Sequence, residues 1–178
     1  MIGPQQLLAA QRNVNSQYGE DGIIAAILDQ LPPSTGWCVE FGAWDGRHLS
    51  NTRSLIDDRG YSAVMIEASP TVFSGLEREF AGTSRVHCLN AFVGFGDNDN
   101  LDVLLAGTPC PRDFDVLSID IDGNDIHVWK AVDTWRPRVV VIEFNPTIPT
   151  VVDFAQPPRP ELKWGVSLRA LFDVGTAK

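Results

Sequence analysis

Apolar, β-branched runs recur along the chain at spacings that leave room for helices between them. The runs are Trp37 to Phe41 (WCVEF), Ser62 to Ile66 (SAVMI), Arg85 to Leu89 (RVHCL), Phe114 to Ile119 (FDVLSI) and Arg138 to Phe144 (RVVVIEF). Short runs of this kind predict buried strands. Between them, Leu49 to Arg59 (closed by Gly60), Thr71 to Phe80 (opened by Ser69-Pro70), Asn100 to Leu105 and Asp125 to Val132 predict helices. Strand and helix alternating in this order indicate an α/β fold whose parallel sheet is covered on both faces. Gly22 to Leu31 predicts a lead-in helix stopped by Pro32-Pro33, and Ser167 to Val174 a last one. Pro146, Pro149, Pro157, Pro158 and Pro160 exclude regular structure from the segment between. A loop this long serves either as a wall or lid over a site or as a plain connection.

Length and composition narrow this picture. The 178 residues, 44% hydrophobic, suit one domain, with residues 1–35 as a helical lead-in and 145–164 as the Pro-rich loop. A core of this size buries roughly 70% of the unfolded surface and needs no staple. Cys38, Cys88 and Cys110 lack metal or redox spacing and are expected to be inert thiols. The longest apolar run, Ile23 to Leu28, is six residues, far below the roughly 18 of a membrane span. With no signal-like N-terminus either, a cytoplasmic protein is expected. The 14 basic residues against 23 acidic give a net charge of -9, which argues against a nucleic-acid partner and for a small-molecule one.

In a doubly wound sheet the ligand lies beyond the carboxyl ends of the strands, beside strand one. The residues leaving that strand are Glu40-Phe41-Gly42-Ala43-Trp44-Asp45-Gly46. Two glycines permit a tight turn and a close ligand approach, but the GxGxxG of a dinucleotide site is absent. Glu40 suits a cationic ammonium or sulfonium better than a diphosphate. Glu67, with Ala68 at the end of strand two, can accept hydrogen bonds from a ribose diol.

At these positions the chain resembles the class I S-adenosylmethionine-dependent methyltransferases. Glu40, Gly42 and Gly46 match their ExGxxxG, and Glu67 matches their ribose-binding acid. NSQYGEDGII, VEFGAWDGRHLSNT, VMIEASP and VLSIDIDGNDIHVW, in that order from Asn15 to Trp129, resemble the FkbM-type members of the class. The resemblance implies a Rossmann-like methyltransferase fold and S-adenosylmethionine as cofactor. It further implies methylation of a hydroxyl on a sugar, polyketide or other small metabolite. Gln17 or Tyr18 is expected to line the cleft, Asn90 to meet the adenine amino group, and Ala91 and Phe92 to pack on its ring. The fold's usual sixth strand and antiparallel seventh have no counterpart after Asn145, so a homo-oligomer covering the strand-five edge, or a truncated form, is expected.

Carboxylates crowd the ends of strands four and five. Asp120 and Asp122 have the spacing that shares one strand face, and Glu143 and Asn145 follow strand five. Such a set can hold the cofactor's ammonium, act as a general base, or bind a divalent cation such as magnesium with oxygen ligands. Asp120, Asp122, Glu143 and Asn145 are the metal candidates; capping of turns and helices is the plainer use. Asp120 and His127, the latter in the first turn of the next helix, are the catalytic candidates. Two alternatives stand beside methyl transfer. One is a metal-dependent nucleotide-sugar glycosyltransferase using Asp120 and Asp122 as a DxD motif. The other is a methyltransferase-like binding module without catalysis.

Overall fold

The computed structural model describes residues 2–33 and 35–178. Helices α1 (Pro4–Ala9) and α2 (Glu20–Leu28) precede β1 (Trp37–Phe41), α3 (Arg53–Arg59), β2 (Ser62–Glu67) and α4 (Pro70–Glu79). Then follow β3 (Val86–Asn90), α5 (Leu101–Ala106), β4 (Val116–Ile119), α6 (Asp125–Ala131), β5 (Val139–Ile142) and α7 (Leu168–Ala177). All five strands are parallel, in the order β3-β2-β1-β4-β5. The order reverses between β1 and β4, which makes this a Rossmann-like, doubly wound sheet with its switch point there.

Two-residue alternation divides each strand between two cores. Cys38, Ala63, Met65 and Val116 face Ile24, Leu28, Leu55, Ile56, Leu76 and Phe80 from α2, α3 and α4. Val39, Phe41, Val64, Ile66, Leu117 and Ile119 face Leu101, Leu105, Val128 and Trp135 on the other side. Helix α7 joins the second layer through Ala170 and Leu171 against Ile126 and Trp129. Among the described residues no further strand joins the sheet beyond β5, and no helix is long and apolar enough to cross a membrane. The cysteines are free; burial pushes the Cys88 thiol up to about 11 and the Cys110 thiol to about 12, so both stay protonated.

Two elements differ from the sequence reading. Helix α1 was not anticipated, because its six residues carry no apolar stripe. Helix α3 begins at Arg53, not Leu49, because the hydroxyls of Ser50 and Thr52 are drawn to Glu40 in β1.

Asp21, in the first turn of α2, ties that helix to the segment before it and to α3. It is 1% exposed, and its Oδ2 accepts the N–H groups of Val14, Asn15 and Ser16 at 2.8 to 2.9 Å and the Ser16 hydroxyl at 2.6 Å. Its Oδ1 accepts the Ser54 hydroxyl of α3 at 2.6 Å. Burial pushes this carboxyl up, but the hydroxyls and amides together hold it below the usual carboxylate range. It thereby fastens residues 13–17 against α3. A folded pKa below the unfolded one contributes stability above the unfolded value that is lost as pH falls. Asp21→Asn is expected to cost about 3 kcal/mol in urea denaturation at pH 7, with the deficit shrinking toward acid; an unchanged midpoint would contradict this role.

Candidate functional site

The carboxyl ends of β1 and β4 meet at Gly42. Its φ is 73°, and a Cβ there would lie 2.2 Å from the Asp120 carbonyl oxygen, so only glycine fits. Beyond it the loop folds back over β1. Glu40, buried, accepts the Ser50 and Thr52 hydroxyls at 2.6 and 2.7 Å and the Asn51 N–H at 2.9 Å. Burial outweighs these donors and pushes its carboxyl up. The loop is also tied to β2, since Glu67 accepts the Trp44 N–H at 3.0 Å.

These ties enclose a cleft of about 490 Å³, within the roughly 300–1,000 Å³ of small-ligand sites. Gly42, Trp44, Leu49, Glu67, Asp120 and Glu143 line it, with Gln17 from the segment fastened by Asp21. Among the described residues, the non-glycine residues with left-handed backbone are Trp44, Leu49 and Asp122, and all three line this cleft. Such conformations cost on the order of 1–3 kcal/mol each and gather at functional sites.

Next to the cleft, and sharing Gly42, Glu67 and Ile121 with it, is an apolar slot of about 200 Å³ between the ends of β2 and β3. Ala68, Ala91, Phe92 and Val93 form its sides. Glu67 stands where slot and cleft join, its second oxygen accepting the Ser69 N–H at 2.7 Å. Each oxygen keeps a further lone pair for a ligand.

The opposite end of the cleft is acidic. Asp120, Asp122 and Glu143 each place a carboxylate oxygen within 4.8 Å of the others. Although these groups reach solvent, partial burial and then repulsion from neighbouring carboxylates, the buried Asp125 among them, push Asp120 up to about 6 and Glu143 up to about 7. The cluster can hold a cation or take a proton. Behind Asp122 and Glu143 lies a notch of about 150 Å³, walled by Phe144, Pro146, Lys163 and Trp164. Residues 157–165, which carry Lys163 and Trp164, form a strap fixed by Gln156, itself 1% exposed. Its amide donates to the Asn124 side chain and the Leu162 carbonyl, both at 3.0 Å, and accepts the Trp164 and Gly165 N–H groups at 2.8 and 2.9 Å. The Pro-rich segment thus walls the notch and, through Pro160, one edge of the slot.

The geometry brings Gln17, Glu40, Gly42, Glu67, Asp120, Asp122 and Glu143 onto one cleft, with Ala68 and Ala91 on the slot beside it. Four expectations need correction. Gly46 is turned away from the cleft; a Cβ there would meet Phe80, just after α4, and Leu76 of α4 at 2.5 and 2.7 Å, so it serves packing. His127 is held elsewhere, its Nε2 2.7 Å from the Gln156 carbonyl oxygen and its ring against Phe95. Asn145 spends its carboxamide on the Trp164 carbonyl and on the Thr147 N–H and hydroxyl, leaving no oxygen aimed at the carboxylates. Asn90 donates to the Glu67 and Ala68 carbonyls, and so shapes the rim of the slot from outside it. Sequence reasoning missed Gln156, Lys163 and Trp164, which lie in a segment with no periodicity to read.

No family model matches the chain, and no curated protein matches it. Solved structures do. One is the glycopeptide N-methyltransferase MtfA complexed with S-adenosyl-L-methionine, 17% identical over 71% of this chain and 54% of that one, with a TM-score of 0.43. Another is the CurJ carbon methyltransferase, 14% identical over 66% of this chain and 31% of that one, with a TM-score of 0.45. A third is a putative sarcosine dimethylglycine methyltransferase from Galdieria sulphuraria, 15% identical over 66% and 43% of the two chains, with a TM-score of 0.44. The chain spans about half the length, or less, of these solved structures. At such scores the likenesses carry no weight for function.

The raised carboxyls have a measurable consequence. A proton held by the folded state gives stability that is present below the unfolded pKa and lost as pH rises through the folded value, here about 7 for Glu143. Glu143→Gln removes the repulsion and is expected to raise the melting temperature at pH 8 by roughly 2–4 °C, allowing for solvent screening, and to leave it unchanged at pH 4. Equal effects at both pH values would contradict the electrostatic account.

Proposed function

We propose that the cleft binds S-adenosylmethionine and that the protein is a methyltransferase acting on the hydroxyl of a small molecule. One observation carries the reading: an apolar slot, a carboxylate with lone pairs to spare and an acidic end follow one another along the slot and the adjoining cleft at the switch point of the sheet. That sequence of surfaces matches an adenine ring, a ribose and an amino-acid ammonium. Gly42, Glu67 and the segments that resemble FkbM-type members agree with it.

The residues fit the cofactor as follows. Ala91 and Phe92 pack on the adenine, and Glu67 accepts from the ribose hydroxyls through the lone pairs that Trp44 and Ser69 leave free. Asp120, at the acidic end, faces the ammonium. Glu40, engaged by Ser50, Asn51 and Thr52, shapes the loop instead of contacting the charge directly. When bound, S-adenosylmethionine supplies an electrophilic methyl on a sulfonium. Glu143 then takes the acceptor's hydroxyl proton, a role suited to a carboxyl held near neutrality. The chain's remaining contribution is alignment and exclusion of water.

A second reading rests on the convergence of Asp120, Asp122 and Glu143. Three carboxylate oxygens suit part of the oxygen shell of magnesium or manganese. A magnesium there would lower the pKa of an acceptor hydroxyl. The same set would serve a glycosyltransferase, in which case the apolar slot would take the base of a nucleotide sugar.

Calorimetry separates these readings. S-adenosylhomocysteine is expected to bind wild-type protein without added metal, and Glu67→Ala to weaken it by about tenfold or more, the cost of losing hydrogen bonds to a charged acceptor. No binding at millimolar ligand would overturn the proposal. Binding of a nucleotide sugar only with manganese would establish the second reading in its place.

A further inference from the structure

The amino-acid end of the proposed cofactor is a zwitterion. Its ammonium has three carboxylates to choose from, but its carboxylate would enter the most negative part of the surface, and it needs a cation. Among the residues lining the cleft, the slot and the notch, Lys163 is the one Lys or Arg. Its Nζ lies 3.0 Å from Asp122 Oδ2, on the oxygen cluster itself, with both side chains 68% exposed and free to rearrange. The strap beneath it is fastened by Gln156, which fills its hydrogen bonds from the strap and from Asn124. Lys163 therefore pairs an exposed tip with a fastened base.

Resting on the cofactor reading above, we propose that Lys163 is a cofactor-binding residue: its ammonium turns from Asp122 to the carboxylate of the amino-acid moiety. One exchange then accounts for two features. Asp122, freed of Lys163, joins Asp120 around the ligand's ammonium, and the ligand's carboxylate gains the only lysine or arginine on the walls. The strap thus belongs to the cofactor site as well as to the wall behind it. His48 also lines the cleft, beside Trp44.

The test uses two ligands that differ by one group. S-adenosylhomocysteine carries both charges; its decarboxylated analogue keeps the ammonium and lacks the carboxylate. Calorimetry on wild-type protein should show about tenfold tighter binding of S-adenosylhomocysteine, the change expected for one charge-assisted hydrogen bond. Lys163→Met should bring the two affinities to within about twofold, and Lys163→Arg should restore most of the difference. Because Lys163 is exposed, the variants should fold as the wild type does, which circular dichroism checks. The same discrimination in Lys163→Met as in wild type would overturn the proposal while leaving the cofactor reading intact. Absence of binding by either ligand to wild-type protein would instead overturn the cofactor reading, and this proposal with it.

Discussion

The site depends on one close approach. Where β1 ends, Gly42 passes so near β4 that any Cβ would collide with the Asp120 carbonyl oxygen at 2.2 Å. Parallel strands whose connections run in opposite directions from the centre leave a crevice at their carboxyl ends, and here the missing side chain sets how narrow it is. Asp120 is brought to the cleft by this contact, and the loop that follows Gly42 is free to fold back over Glu40 and across to Glu67. A wider crossing would separate the acidic end from the slot at Phe92.

The carboxylates divide into two kinds according to what surrounds them. Asp21, Glu40 and Asp125 are buried and supplied with donors: amides and hydroxyls for the first two, and the Ile121 and Gly123 N–H groups at 3.0 and 2.9 Å for the third. They hold loops in place. Asp120, Asp122 and Glu143 face one another instead, and repulsion adds to burial in raising Asp120 and Glu143. The left-handed backbone at Trp44, Leu49 and Asp122 lies around the same cleft, a second cost in the same place.

What was legible in the sequence followed from local pattern. The five strands lie close to where apolar runs placed them, because burial within a parallel sheet writes itself as short runs of mostly apolar residues. Glu40, Gly42, Glu67 and Asp120 were legible as cleft-lining positions for a related reason: the carboxyl ends of a parallel sheet's strands open onto the crevice at the switch point. Gly46 has the right spacing but answers to Phe80 and Leu76, a contact across thirty or more residues of sequence that no motif displays. The start of α3 was lost to Glu40, which competes for the hydroxyls that would otherwise lie in a helix. His127 was misplaced because its partner, the Gln156 carbonyl, lies in the Pro-rich segment. That segment returns to the site through one buried glutamine, and an isolated polar residue among prolines gives no sign of where it will point.

The account stands on the direction in which a ligand lies in the cleft. A crystal structure with S-adenosylhomocysteine tests it most directly. The adenine should lie against Ala91 and Phe92, the ribose hydroxyls on Glu67, and the amino-acid end between Asp120 and Lys163. Density for the ligand in the reverse orientation, or a cleft without it at saturating concentration, would contradict the account.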